Sequence, residues 1–414
     1  MNVGNIYRDK TLNDISENNV GETLRLAGWV ENIRDHGGVS FVDLRDMYGV
    51  MQVVMRDTKL LEGISKEDCI SVEGVVEHRD EETYNPKIPT GTIELEAHKV
   101  EVLGRVYRQL PFEIMTSKET REDVRLKYRY LDLRNAKVRD NMIFRSNVIS
   151  FLRQKMTDMG FLEIQTPILC ASSPEGARDY IVPSRKFKGK FYALPQAPQQ
   201  YKQLLMVSGF DKYFQIAPCF RDEDARADRS PGEFYQLDME MSFASQDDVF
   251  AVLEDVLPPI FAEYGLYKEA SKPPFKRIAF NDAMEKYGSD KPDLRIDLEL
   301  SDITEIANKT DFEPFKGFVK AVVVEDFKET RKFIDKLCAD VEVQTANKPF
   351  WFKVDESGSL TGGVAKFFAD CADELKTALD LKPGCFVGIA AAPKKLAAQK
   401  TAGVLRKMIG NTVE

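Results

Sequence analysis

Residues 220–229 read FRDEDARADR, and this run of arginines and carboxylates separates two stretches that alternate as β-strands do. The two stretches are residues 213–216 and 234–241, so the run predicts the connector of a strand pair. An ordinary exposed hairpin loop is the simple alternative. Interleaved guanidinium and carboxylate groups instead favour a site that holds the phosphates of a nucleotide together with their counter-cations.

The chain around this connector, residues 140–295, is the second of three predicted bodies. Apolar residues recur at helical spacing over 142–156, and Gly160 predicts a left-handed cap that ends the helix. A strand is predicted over 161–165. It runs into Pro167, which cannot donate a ladder hydrogen bond and therefore belongs at a strand end or edge.

Residues 1–105 form the first predicted body, a small β domain. Alternating runs at 24–30, 40–44, 50–55 and 93–102 are separated by turn signals, which favours a small barrel or sandwich. A five-stranded oligonucleotide-binding (OB) barrel fits this count, and Arg34 and Phe41 are candidates for its base-binding face. From pattern alone, a core position is the more frequent outcome for a residue such as Phe41.

A basic hinge, residues 106–139, follows the barrel. The whole chain is acidic, with 58 Lys+Arg against 67 Asp+Glu and a formal net charge of −9. Residues 99–139 reverse this balance, with an excess of lysine and arginine. Either a bound polyanion or a solvated helix face with mixed charges explains such an island, and the sequence leaves both open.

Residues 296–414 form the third predicted body, an α+β module. Helical stretches at 326–336, 370–379 and 396–408 alternate with strands at 319–324 and 385–390. Thr361, Gly362 and Gly363 are too few to form a phosphate loop and predict a turn.

Composition excludes several classes of protein. The six cysteines form no C-x-x-C pair and there are only three histidines, so buried free thiols are expected rather than disulfides or a zinc site. The first residues lack the apolar segment of a signal peptide, and no apolar run has the length of a membrane-spanning helix. A cytoplasmic location is therefore expected.

Several motifs together resemble one family. They are the segments 28–30 and 34–38, 125–134, 173–179, 220–224 and 288–295. In this order, spread over nearly the whole chain, they resemble the class II aminoacyl-tRNA synthetases, and within them the bacterial aspartyl group. The resemblance implies an α+β multidomain fold: an OB-fold anticodon-binding barrel (1–105), a hinge (106–139), an incomplete antiparallel-sheet catalytic domain (140–295) and a GAD-like α+β insertion (296–414).

The resemblance also implies a reaction. L-Aspartate would be activated by ATP to the aspartyl-adenylate and transferred to the 3′ end of tRNA(Asp). The α-carboxylate of aspartate attacks the α-phosphorus of ATP and pyrophosphate leaves, so the protein aligns two anions and needs no nucleophile of its own. Magnesium would arrive with ATP, without a metal site of the protein's own.

Site residues follow from the same resemblance. Arg221 is the expected catalytic residue, a clamp that bridges the amino-acid carboxylate and the α-phosphate. Expected ATP contacts are Arg221, Asp222, Glu223 and Phe234, and expected aspartate contacts are Glu175, Gln199, Lys202 and Arg221. For Lys202 a solvent-facing helix position is the plainer alternative, and for Arg221 with Glu223 it is a surface ion pair. The segment around Pro167 matches the motif that builds a homodimer interface.

In the barrel, the resemblance moves Phe41 from the core to a base-stacking role and adds Arg34 and Gln52 as anticodon readers. His36 stands where strictly tRNA(Asp)-specific members tend to carry leucine. A histidine resembles the relaxed type that charges both tRNA(Asp) and tRNA(Asn), whose anticodons differ at one base.

The third motif of the family, which grips the γ-phosphate end of ATP, is not found before Glu414. We therefore expect residues 1–414 to be a fragment that neither activates aspartate nor folds well over 140–295. Two alternatives remain: a non-catalytic tRNA-binding paralogue, and a relative that charges lysine or asparagine.

Overall fold

The computed structural model describes residues 4–173, 175–223, 232–267 and 269–413. The chain divides into two compact units, Met1–Ala270 and Ser271–Glu414. Among the described residues, no helix is long and apolar enough to cross a membrane.

The first unit begins with a closed five-stranded barrel, which confirms the OB-type prediction. Its strands, in the spatial order β1-β2-β3-β5-β4, are β1 (Thr23–Asp35), β2 (Ser40–Arg45), β3 (Val50–Met55), β4 (Cys69–His78) and β5 (Ile93–Gly104). Val42 and Leu44 of β2 are fully buried, so Phe41, which alternates with them, lies on the outer face. The pattern-based preference for a core position at Phe41 is therefore wrong.

Two short helices of the hinge, α1 (Glu122–Lys127) and α2 (Arg129–Asp132), are tied together by the buried carboxylate of Asp132. It accepts two hydrogen bonds of 3.1 Å from Arg125, one of 2.8 Å from Ser117 Oγ, and a contact from Arg129. Arg125 and Arg129 of the basic island are thus engaged by a buried carboxylate of the protein.

The barrel and hinge share a buried ion cluster. Glu67 accepts two hydrogen bonds of 2.8 Å from Arg45, which is 5% exposed. Arg134 of the hinge donates to the same carboxylate at 2.8 Å, and its guanidinium lies 5.1 Å from the centre of the Trp29 ring. The charges therefore fix the hinge to this end of the barrel.

A three-stranded sheet follows in the same unit, with strand order β10-β9-β6. The remaining elements are α3 (Ala136–Asp158), β6 (Leu162–Glu163), a ribbon of β7 (Ile181–Pro183) and β8 (Phe191–Ala193), α4 (Gln199–Val207), β9 (Lys212–Phe220), β10 (Glu233–Met241) and α5 (Gln246–Tyr264). Gly160 follows α3 and has φ +82°, so it ends this helix as predicted. The strand expected at 161–165 has only two paired residues, because β6 touches β9 briefly before the chain reaches Pro167.

The second unit is built on an antiparallel sheet of order β11-β12-β15-β13-β14. Its elements are α6 (Phe280–Tyr287), β11 (Leu300–Asp302), α7 (Thr304–Ala307), β12 (Phe318–Val324), α8 (Arg331–Thr345), β13 (Phe350–Val354), β14 (Leu360–Thr361), α9 (Ala372–Leu379), β15 (Phe386–Ala392) and α10 (Lys395–Val413).

Residues 271–295, which the sequence grouped with the catalytic body, lie in this second unit. Arg406 of α10, 2% exposed, donates to the carbonyls of Asp293 and Ile296 at 3.0 and 2.6 Å. Gly288 packs against the backbone of Gly403, where a Cβ would not fit. The segment is therefore held by α10.

Helix bounds in this unit differ from the predicted ones. The helix expected at 326–336 begins only at Arg331, because Thr330 caps it by accepting from the Phe333 N–H and Asp326 has φ +56°. The helix expected at 370–379 begins at Ala372, after a 3₁₀ segment Ala365–Cys371.

Candidate active site

The β9–β10 pair has one apolar and one polar face. Phe214 and its cross-strand partner Met239 belong to the apolar face, which packs against Met156 of α3 and Val256 of α5. Residues on the other face are Tyr213, Gln215, Ala217 and Cys219 of β9 and Phe234, Gln236, Asp238 and Glu240 of β10. The two helices cover the apolar face; Phe234 lies on the polar one, and Lys202 of α4 contacts it through Asp238.

Lys202, on α4, is held by two carboxylates of this polar face. Its Nζ donates to Asp238 Oδ1 at 2.9 Å and lies 3.3 Å from Glu240 Oε2. Burial would lower the pKa of Lys202, but the hydrogen bond to Asp238 and the two negative charges outweigh it and raise that pKa. Lys202 is thus a fixed, protonated cation with 12% of its side chain exposed, so the solvent-facing interpretation is wrong.

Asp238 is the acidic centre of this arrangement. Burial raises its pKa, and the hydrogen bond from Lys202 opposes that shift. Its second oxygen, Oδ2, is buried and has no hydrogen-bond partner within 3.5 Å among the described residues. The nearby Tyr213 hydroxyl also acts on this carboxyl and lowers its pKa.

Arg221 and Phe234 meet at the start of the connector. The Arg221 guanidinium lies 5.0 Å from the centre of the Phe234 ring, and its backbone N–H donates to the Gly232 carbonyl at 2.8 Å. A cation over an aromatic face forms a pair that suits an anionic, planar ligand. Residues 224–231 of the connector lie outside the described residues.

Glu175 approaches the same site from the loop that follows Ser173. Partial burial raises the pKa of Glu175, against the opposing charges of Arg221 and Lys202. Glu175 therefore lies within electrostatic reach of Arg221 and Lys202.

Gln196, which sequence reasoning missed, fixes this loop. Its side chain is 2% exposed, accepts from the Ala177 N–H at 3.1 Å, and donates to the Ala177 carbonyl at 2.9 Å. The Gln196 amide also donates a hydrogen bond of 2.5 Å to Asp179 Oδ1. Arg178 then links the loop to the connector through the backbone of Asp222, in bonds of 2.8 and 2.9 Å.

Two predicted residues are less engaged. Gln199 begins α4, one turn before Lys202, and its side chain makes no hydrogen bond to any described residue. Glu223 is exposed, and its backbone N–H donates to the Arg221 carbonyl at 2.9 Å. The structure does not pair the side chains of Arg221 and Glu223 among the residues it describes.

The predicted anticodon residues lie together on the outside of the barrel. Arg34 Nη2 donates to Asp43 Oδ1 at 2.8 Å and to Gln52 Oε1 at 3.0 Å, and Gln52 donates onward to Glu94 at 2.7 Å. Arg34, Asp43 and Gln52 line a cavity of about 220 Å³. Phe41 pairs with Arg34 across the strands, and the His36 ring stands edge-on to it at 5.6 Å.

No cluster of three or more histidine, cysteine, aspartate or glutamate side chains suited to a metal ion occurs in the described ranges. The cationic groups of the site are Arg221 and Lys202.

Comparison with protein families gives two matches. Residues 24–103 match the OB-fold nucleic acid binding domain, and residues 121–371 match the model described as tRNA synthetases class II (D, K and N). The chain belongs to the class II tRNA synthetases. The second match begins in the basic hinge and covers more than half of the chain.

Relatives of this class II synthetase chain include two bacterial proteins. The chain is 52% identical over 385 residues to a Streptomyces avermitilis protein named aspartate–tRNA ligase, covering 91% of this chain and 65% of that protein. It is 47% identical over 421 residues to a Rickettsia bellii protein named aspartate–tRNA(Asp/Asn) ligase, covering 99% of this chain and 69% of that protein. The chain thus spans about two thirds of the length of these relatives.

A solved structure shares the class II fold. The asparaginyl-tRNA synthetase of Pyrococcus horikoshii, complexed with asparaginyl-adenylate, matches with a TM-score of 0.58 and 19% identity, over 97% of this chain and 98% of that one. At this identity the likeness concerns the fold alone.

Proposed function

We propose that this protein acts as an aspartate–tRNA ligase: it activates L-aspartate with ATP and transfers it to the 3′ end of tRNA(Asp), and also of tRNA(Asn). The observation that carries the proposal is the arrangement of Lys202, Arg221, Glu175 and Phe234 around the polar face of one sheet. Relatives with these activities in their names support it.

The arrangement suits adenylate formation. Phe234 stacks on adenine, and the forked guanidinium of Arg221 bridges the α-phosphate and the attacking carboxylate. Because both reactants are anions, a fixed cation between them lowers the barrier by positioning and charge neutralisation. Asp222 and Glu223 contact ATP, with which Mg²⁺ arrives as part of the substrate.

Lys202 explains the choice of amino acid. Its protonated ammonium, held between Asp238 and Glu240, pairs with the side-chain carboxylate of aspartate. Asparagine offers no charge there, so the buried cation discriminates against it. Glu175 and Gln199 contact the ammonium end of the substrate.

Two tRNAs are proposed as partners because of the barrel. Arg34, Phe41 and Gln52 read the anticodon on the outer face, and the exposed His36 in the β1–β2 hairpin relaxes discrimination between two anticodons that differ at one base. Replacing His36 with leucine should reduce aspartylation of a tRNA(Asn) transcript about 10-fold and leave tRNA(Asp) within about twofold, since one base contact is worth about 1–3 kcal/mol. Equal rates for both tRNAs before and after the replacement would contradict this role.

A homodimer is the proposed assembly, formed around Pro167. Apolar side chains near this segment are exposed, namely Met142 (47%), Phe144 (50%), Leu162 (52%), Ile168 (45%) and Leu169 (55%). Exposed apolar residues so close in the chain support an interface that a second copy covers.

The test is aspartate-dependent ATP–pyrophosphate exchange by the protein, together with its binding of a non-hydrolysable aspartyl-adenylate analogue. We expect exchange with L-aspartate and not with L-asparagine or L-lysine, and loss of analogue binding in Lys202→Met. Lys155→Met is the matched control, because Lys155 pairs with Asp255 on the helical side of the sheet.

Other outcomes would assign a different function. Exchange driven by L-asparagine or L-lysine would place the protein with another specificity of the family. Binding of tRNA without exchange or analogue binding would identify a non-catalytic tRNA-binding paralogue.

A further inference from the structure

The turn Thr361, Gly362 and Gly363 forms one wall of a cavity of about 610 Å³ in the second unit. The other walls are the 3₁₀ segment that follows the turn, α9, and Arg331 at the first position of α8. Among the described residues, the charged side chains that line the cavity are all cationic: Arg331, Lys366 and Lys376. Ser359 and Thr361 add hydroxyl groups.

This single sign of charge belongs to the cavity and not to the unit around it. Over residues 271–414, lysines and arginines equal aspartates and glutamates in number. A neighbouring cavity of about 880 Å³ is lined by Asp302, Glu305, Asp373 and Glu374, with Lys395 as its cation. Three cations and no lining carboxylate are therefore a local feature, and such a concave site concentrates anions.

The three cations are only weakly engaged by the protein. Arg331 lies 3.7 Å from Asp335, and Lys376 lies 3.8 Å from Asp373, whose side chain is fully exposed. Lys366 lies 4.9 Å from the centre of the Phe367 ring and has no carboxylate within 4 Å among the described residues. Ion pairs this long on the surface contribute under about 1 kcal/mol to stability, so an anion in the cavity can compete for these cations.

The turn itself is rigid. Gly362 and Gly363 have φ values of +72° and +42°. A Cβ on Gly362 would lie 2.7 Å from the Trp351 ring, and one on Gly363 would collide with the Trp351 carbonyl. The Val364 N–H also donates to that carbonyl at 2.9 Å. This wall is thus fixed before any ligand arrives, which lowers the entropic cost of binding.

We propose that this cavity binds phosphate groups, supplied by the backbone of a bound RNA or by free inorganic phosphates. Arginine and lysine with nearby hydroxyls are the groups that recognise phosphate oxygens. The site goes beyond the proposed ligase activity, since it lies in the unit that carries none of the residues assigned to the reaction.

The experiment compares two triple variants of the full chain. R331Q/K366Q/K376Q removes the cations of the cavity. K309Q/K328Q/K382Q changes the net charge equally, and its three lysines pair with Glu374, Asp326 and Glu325 away from the cavity. Thermal unfolding is recorded for both, because all six side chains are at least partly exposed and we expect the fold to be kept.

One arm measures binding of a tRNA(Asp) transcript by fluorescence anisotropy at about 50 to 200 mM salt. The other arm measures binding of pyrophosphate by calorimetry. An RNA source is indicated if only the cavity variant binds tRNA at least about 10-fold more weakly. The slope of log K against log salt concentration should then also become shallower by about 2. A small-phosphate source is indicated if pyrophosphate binds the wild type and not the cavity variant, while tRNA binding is unchanged.

The proposal is overturned if the cavity variant and the charge-matched control behave alike in both arms. If the wild type fails to bind tRNA at all, the ligase proposal fails, and the pyrophosphate arm still decides the cavity.

Discussion

The ammonium of Lys202 and the carboxylate of Asp238 form a hydrogen bond of 2.9 Å that joins α4 to the middle of β10. Both side chains are largely buried, with 12% and 9% exposed. A cation that would otherwise be mobile is thereby held in one place, and its position depends on an acidic residue on the same face of β10 as Phe234.

Asp238→Asn keeps the shape of this partner and removes its charge. We expect the free energy of unfolding at pH 7 to fall by about 3 kcal/mol, because the buried Lys202 loses its main counter-charge. Glu240→Gln is the control, because Glu240 lies farther from Lys202, at 3.3 Å, and its side chain is 29% exposed. We expect its free energy of unfolding, measured in urea, to fall by less than about 1 kcal/mol. Equal losses in the two variants would argue against a dominant role for Asp238.

Phe234→Leu keeps apolar volume and removes the ring beneath Arg221. We expect ATP to bind about 10-fold more weakly, since a stacked ring contributes about 1 kcal/mol or more. Tyr235→Leu is a close control, because Arg145 lies 4.7 Å from the Tyr235 ring on the opposite face of β10. Calorimetry with ATP measures both, and an unchanged affinity in Phe234→Leu would remove Phe234 from the site.

Glu67→Gln tests the cluster between the barrel and the hinge. Arg45 and Arg134 both depend on this carboxylate, whose side chain is 6% exposed, so we expect a loss of about 3 kcal/mol in the free energy of unfolding. In the control Glu73→Gln, the pair with Arg25 has the same 2.8 Å distance, but its side chains are 39% and 42% exposed. The free energy of unfolding of this control should fall by less than about 1 kcal/mol.

Glu285 gives the second unit an acid-sensitive contact. Burial would raise its pKa, but hydrogen bonds from Lys320, Lys395 and Gln399 outweigh this and lower it from the ordinary 4.5 to about 2. Because the folded pKa is depressed, the linked stability is present above about pH 4.5 and is lost as the pH falls towards 2.

Glu285→Gln should therefore be less stable than the wild type at pH 7, and the difference should shrink steadily below pH 4.5. Lys320, only 2% exposed, keeps Asp302 at 3.0 Å in the variant, which favours retention of the fold. Urea unfolding at pH 7, 4.5 and 3 provides the measurement. A difference that stays constant across these values would contradict the linkage.

Alternation in the sequence was sufficient to predict four of the five barrel strands and the strand β10, because a period-2 pattern reports which side chains are buried. It did not locate β4. Gly74 interrupts that strand pattern, and only the structure shows why: its missing side chain admits the Glu96 carbonyl of β5, where a Cβ would collide.

In the site, Arg221, Phe234 and Lys202 could be named from motifs, while Asp238 and Gln196 could not. Asp238 shares the alternation of Phe234, four residues earlier on the same strand, and that spacing was the available signal. Gln196 carried no such signal, since its three bonds to the loop at 177–179 join residues whose proximity depends on tertiary folding.

Trp29 and Trp351 are the two tryptophans of the chain, one in each compact unit. Trp351 lies directly beneath the Gly362–Gly363 turn that walls the cationic cavity. Its indole emission is therefore an intrinsic optical reporter of that turn, and a Trp29→Phe background would let occupancy of the cavity be followed in solution without any attached dye.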